Sequence, residues 1–135
     1  MEKIRKTLAL LLTFTAIIYS TGCSGQTAAP VNKTDIGIDK TKYKVTFIEL
    51  GSVRCIPCKQ MQPIMKSIEE KYGKQVKVVF YDVWTESGAP YGKQYGIEAI
   101  PTQVFLDKDG KEFFRHLGFL AEEELIKVLK QKGVK

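Results

Sequence analysis

Val45-Thr46-Phe47-Ile48-Glu49-Leu50-Gly51-Ser52-Val53-Arg54-Cys55-Ile56-Pro57-Cys58 contains the change of period that decides the architecture. Val45 to Leu50 is short, mostly apolar and β-prone, and it ends at Gly51-Ser52, the pattern of a buried strand. Beyond Cys58 the apolar residues recur at helical spacing, as Met61, Ile64, Met65, Ile68 and Tyr72, with Gly73 as the stop. Pro63 falls inside that helix, where loss of a backbone donor and crowding of the preceding turn predict a kink. The two cysteines therefore stand at a strand-to-helix junction.

Outward from this junction the periods keep alternating. Val76 to Val83 reads as a second strand, and Ser87 to Tyr95 as a short helix weakened by Gly88, Pro90 and Gly92. Thr102 to Leu106 and Glu112 to His116 read as strands joined by Asp107-Lys108-Asp109-Gly110, a hairpin-turn signal. Ala121 to Lys132 closes the chain as an amphipathic helix, with Ala121, Leu125, Val128 and Leu129 on one face. The order β, α, β, α, β, β, α predicts an α/β domain with a mixed central sheet and helices on both faces.

Cys55 and Cys58 are separated by two residues at a predicted helix start. There the unpaired N–H groups and the positive dipole end favour a thiolate. Such a pair can exchange one disulfide reversibly: the exposed thiol attacks and the inner one displaces the mixed disulfide. Cys55 is expected to be the nucleophile and Cys58, one turn inward, the resolving thiol. Pro57 suits an early helical position because its φ is preset and its missing donor would be unpaired anyway. Arg54 places a cation next to Cys55, which favours the thiolate further. Three other uses of such a pair fit this sequence less well. A zinc site needs four ligands, and only Cys23 and His116 remain to complete one. A c-type haem needs His after the second cysteine, where Lys59 stands. An inert structural disulfide would close a very small loop.

Cys55-Ile-Pro-Cys58-Lys59 resembles the Cys-Gly-Pro-Cys-Lys motif of the thioredoxin family, and Tyr95-Gly96-Ile97-Glu98-Ala99-Ile100-Pro101-Thr102 resembles its Tyr-Gly-Ile-x-x-Ile-Pro-Thr. The likeness runs from about Tyr43 to Gly133, and Pro63 falls where the family helix carries its kinking proline. It implies the thioredoxin fold and thiol–disulfide chemistry on protein substrates, without metal, flavin or nucleotide cofactor. By resemblance, Pro101 is cis and faces the disulfide, so the Ile100 backbone can pair with an extended substrate. Gly118 corresponds to the glycine that lets substrate approach. Glu49, six residues before Cys55, falls where the family keeps a buried Asp. Buried there, its carboxyl would have a raised pKa and exchange protons with Cys58; the alternative is a strand-end Glu turned to solvent or paired with a lysine. Two departures stand out: Arg54 where the family often has Trp, and Phe80 where it has a lysine near the buried acid.

The first residues tell a separate story. Lys3, Arg5 and Lys6 precede an uncharged run from Thr7 to Tyr19, and Ser20-Thr21-Gly22 leads to Cys23. That run is shorter than the ~20 apolar residues of a comfortable bilayer span, so a cleaved leader is expected. Gly22-Cys23 resembles the cleavage and lipidation site of a bacterial lipoprotein signal, although Ser20 stands where an aliphatic residue is usual. The expected organisation is a leader over 1–22, a tether over 23–42 and the domain over 43–135, with Ile36 and Ile38 able to add a short strand. The chain carries a net charge of +6, which falls to +4 without the leader. Its lysines are scattered, so nucleic acid is not expected as a partner. The composite expectation is a monomer lipid-anchored at Cys23, on the outer face of the bacterial cytoplasmic membrane or in the periplasm. It would reduce protein disulfides and be reset by a membrane electron donor. A disulfide-forming oxidase and a non-catalytic chaperone on the same fold are the competing readings.

Overall fold

The computed structural model describes residues 42–135. Cys23, the leader, the tether as far as residue 41 and the strand suggested at Ile36 and Ile38 lie outside the described residues. The elements are β1 (Val45–Gly51), α1 (Ile56–Tyr72), β2 (Val76–Asp82), α2 (Ala89–Gln94), β3 (Thr102–Asp107), β4 (Glu112–Leu117) and α3 (Glu122–Lys130). This is the order expected from periodicity. The middle helix lies inside the expected Ser87 to Tyr95 span and starts at Ala89; Gly88 is its N-cap and packs onto the Asp82 carbonyl, where any Cβ would collide.

Four strands form one mixed sheet in the order β2-β1-β3-β4. β1 and β2 run parallel, joined by the α1 crossover, whereas β3 is antiparallel to both β1 and β4. In the β3–β4 turn, Asp107 Oδ1 accepts from the Asp109 and Lys111 N–H groups, and Gly110 takes φ 77°. A positive φ of this size strains a residue with a Cβ, so Gly110 suits the turn.

Strand alternation sends β1 side chains to opposite faces. Val45 and Phe47 pack with Met61, Met65 and Ile68 of α1 and with Leu125, Val128 and Leu129 of α3. Ile48 and Leu50 pack on the other face with Tyr95 and with Tyr91 of α2. Helices therefore cover both faces, and Met61 and Met65 are core residues. The Phe47 and Phe105 rings stack at 4.9 Å, tying β1 to β3 inside the larger core.

Registry then fixes where function can gather. Leu50 pairs with Thr102, Thr102 with Leu117, and Gly51 with Asp82. The end of β1, the start of β3 and the ends of β2 and β4 thus meet at one edge of the sheet. The segments beyond them, Ser52 to Cys55, Val83-Trp84, Ile100-Pro101 and Gly118, all emerge there.

Candidate active site

Cys55 is the N-cap residue of α1, in extended conformation at φ −88° and ψ 129°, with no side-chain cap on the helix end. Its N–H donates to the Ser52 carbonyl at 3.1 Å, and its own carbonyl accepts from Lys59 at 3.0 Å. The first N–H groups of α1 therefore point at the Cys55 side, the arrangement that stabilises an anion. Pro57 stands in the first turn and is exposed, as its spacing predicts. Cys55 is half-buried and Cys58 fully buried, and both are free thiols.

Burial pushes the Cys58 thiol up to about 12; hydrogen bonding to Cys55 and the charges of Cys55 and Glu49 push the same way, and a backbone contact at Ser52 opposes them. Cys58 therefore needs an acceptor nearby if it is to attack at neutral pH.

Glu49 supplies a carboxyl at that place. It continues the Val45, Phe47 alternation, so it points to the α1 face, and it is completely buried. Burial raises its pKa from the ordinary value to about 8, opposed by a hydrogen bond from Gln103. This is the inward-facing arrangement; the solvent-facing and lysine-paired alternatives are excluded by its 0% exposure and its Gln103 partner. Phe80 is the β2 residue paired with Glu49, so an aromatic residue stands beside the acid on that side. A Cβ built on Gly51 would meet Cys58 Sγ at 3.2 Å and Glu49 Oε1 at 3.5 Å. Glycine at this position leaves room for thiol and acid to border the same small space.

The Ile100–Pro101 peptide is cis, with Pro101 buried and Ile100 half-buried. The Pro101 carbonyl accepts from the Gly118 N–H at 2.8 Å, which brings those two loops together. Gly118 has φ 96°, and the direction a Cβ would take is open space. Arg54 is turned toward Trp84, with its guanidinium carbon 5.7 Å from the ring centroid. Burial alone would raise the Asp82 pKa, but donation from the Val53 and Trp84 N–H groups, aided by Ser52 and Arg54, holds it below the usual carboxylate range. The Arg54 charge thus acts on Asp82, the last residue of β2. Val53, Ile56, Trp84, Leu117 and Phe119 are exposed apolar side chains, and all belong to segments at this edge.

Three residues of the site escaped sequence reasoning. Gln103 carried a signal, a polar residue two before Phe105 in an otherwise apolar strand. Gly51 carried one too, two residues after Glu49 and so on the same face. Asp82 carried none, because its role depends on loop backbone geometry.

A model of the thioredoxin-like domain matches residues 32–133. Thioredoxin from Bacillus subtilis is 33% identical over 86 residues, covering 64% of this chain and 80% of that protein. Chloroplastic thioredoxin Y from rice is 35% identical over 83 residues, 62% of this chain, but the chain spans only about half of that longer protein, 48%. Among solved structures, thioredoxin NaTrxh from Nicotiana alata superposes with TM-score 0.58 at 29% identity, covering 69% of this chain and 76% of the other. A point mutant of the thioredoxin from Halobacterium salinarum gives 0.60 at 20% identity over 69% and 77%, a likeness of fold. With the mixed four-stranded sheet, the helix-capping dithiol and the cis proline at one edge, these matches fix the fold as the thioredoxin fold, and the chain belongs to the thioredoxin-like family.

Proposed function

We propose that this protein is an exported, lipid-anchored thiol–disulfide oxidoreductase that reduces disulfides in other proteins. The observation that carries the reading is the asymmetry of its two thiols. Cys55 is reachable at the helix end, while Cys58 is buried with Glu49 beside it. The Cys55 thiolate attacks a substrate disulfide, forming a mixed disulfide and releasing one substrate thiolate. Cys58 then attacks the Cys55 sulfur. The Cys55–Cys58 disulfide forms, the second substrate thiolate leaves, and the Cys58 proton passes to the Glu49 carboxylate. A dithiol donor must return two electrons to the pair, and for an exported protein that donor sits in the membrane. Ile100, Pro101 and Gly118 form the edge on which an extended substrate lies, with the apolar side chains around it supplying contact area.

Export and anchoring rest on the Lys3 to Cys23 segment. Two signals are needed for firm membrane attachment by lipid, and a lipoprotein-type diacylated cysteine supplies more than one chain. Cys23→Ala should leave the protein in the soluble fraction or as uncleaved precursor; a mature wild-type chain without lipid would refute the anchor. For the chemistry, Cys58→Ala should accumulate mixed disulfides through Cys55 in cells, and Cys55→Ala should accumulate almost none. Equal trapping by both variants would reverse the assignment of roles, and failure of the wild-type domain to reduce insulin would remove the reductase activity.

A further inference from the structure

Glu49 lies between β2 and β3, and its hydrogen-bond partner comes from β3. The register sets Phe80 on one side and Gln103 on the other. Gln103 is itself fully buried and donates from Nε2 to Glu49 Oε2 at 3.0 Å. Glu49 Oε1 has no hydrogen-bond partner among the described residues, and it is the oxygen that borders the space beside Gly51 shared with Cys58 Sγ. An oxygen already accepting an N–H is the poorer place for a proton, since the donor favours negative charge there. The proton of the neutral acid therefore belongs on Oε1, the side of the thiol.

We infer that Gln103 is a positioning residue for proton transfer: by holding Oε2, it fixes Oε1 as the oxygen that takes the Cys58 proton. The inference rests on the dithiol reading above and deepens it. Cys58 from α1 is the ionisable group that meets Glu49, with Cys55 beyond it; β2 contributes the Phe80 ring and β3 the neutral Gln103 amide. The amide also favours the ionised acid, so it enlarges the fraction of Glu49 able to accept at neutral pH. A hydrogen bond to a charged group is strong enough to change that fraction roughly tenfold.

Gln103→Met keeps the length and removes the donor. The reduced protein is mixed with an equivalent of Ellman's reagent: the first thionitrobenzoate released reports Cys55 attack, and the second reports displacement by Cys58. The variant should show an unchanged first phase and a second phase about tenfold slower at pH 7. Its pH midpoint should move upward, so that the two proteins converge at alkaline pH. In a Glu49→Gln background the same substitution should leave the second phase unaltered. A second phase slowed equally at every pH, or slowed as much without Glu49, would make Gln103 a packing residue and overturn the inference. Should the Met variant fold poorly, Gln103→Leu and a carbon-13 titration of the Glu49 carboxyl read the same upward shift; an unshifted titration overturns it. A wild-type protein with no second phase would refute the dithiol reading itself, a different outcome from an unshifted midpoint.

Discussion

Cys58 packs against the backbone of Gly51, closely enough that a Cβ on the glycine would sit 3.2 Å from its sulfur and 3.3 Å from its own Cβ. Gly51 ends β1 and Cys58 lies in the first turn of α1, so this contact is where the strand and the helix close on each other. The Cys58 thiol is held by the absence of a side chain opposite it.

Two effects of Gly51→Ala oppose each other. Removing a glycine restricts the unfolded chain and stabilises by about 0.4–1 kcal/mol. Overfilling a packed site costs about 1–3 kcal/mol, and here the methyl presses on a side chain that must stay aligned with Cys55. The packing cost should win, leaving the variant about 1 kcal/mol less stable and slower in displacing a mixed disulfide. Gly51→Val should be worse on both counts. Urea denaturation of the reduced protein and the second phase of thionitrobenzoate release measure the two effects. An alanine variant that is more stable and equally fast would show that Cys58 has room to spare.

The architecture was legible in the sequence because each element carries its own period and its own punctuation. Leu50 to Gly51 ends a strand, Tyr72-Gly73 ends a helix, and Asp107 to Gly110 turns a hairpin, all within the chain's local chemistry. Cys55 and Cys58 were legible for the same reason. What could not be read was pairing between distant strands. Glu49 and Gln103 are 54 residues apart, and nothing local says that β3 rather than β2 carries the hydrogen bond to the acid. Gly73 shows a smaller limit. It ends α1 as expected, yet its backbone stays right-handed at φ −60°, and glycine is required because any Cβ would strike the Glu69 carbonyl. The reason is steric crowding and not the left-handed turn that usually explains a glycine there.

Burial of Glu49 should be visible in stability. In the fold this carboxyl keeps its proton up to about pH 8, against the ordinary 4.5 of an exposed one. Between those values the native state binds more protons than the unfolded chain, so stability falls as pH rises, by up to about 1.4 kcal/mol for each pH unit. Below pH 4.5 both states hold the proton and the carboxyl costs nothing as a charge. Glu49→Gln imitates the protonated acid at every pH and can still pair with Gln103. The variant should match wild type near pH 4 and exceed it by several kcal/mol near about pH 8. Urea midpoints across that range test the claim, and two parallel profiles would mean that Glu49 ionises as an ordinary surface acid.

Direction of electron flow follows from which form of the dithiol the protein stabilises. A strong oxidant has a reduced form stabilised as thiolate, which draws its disulfide toward reduction. In this protein the Arg54 cation lies near the site, and its charge is shared with Trp84 and Asp82. Cys58 works against the oxidant direction, since burial and its neighbours push its thiol up to about 12 and disfavour the anion. Glu49 as an anion would oppose a second thiolate as well. One partly shared surface cation is a smaller effect than a thiol displaced this far. Known potentials run from about −270 mV for reducing dithiols of this fold to about −120 mV for the strongest oxidants, with a midpoint near −195 mV. Equilibration of the purified domain with glutathione buffers should give a value more negative than that midpoint. Arg54→Ala should move it only slightly further down. A potential above about −160 mV would mark the protein as a disulfide-forming oxidase, with the Cys55 thiolate held far more firmly than Arg54 and the helix end account for.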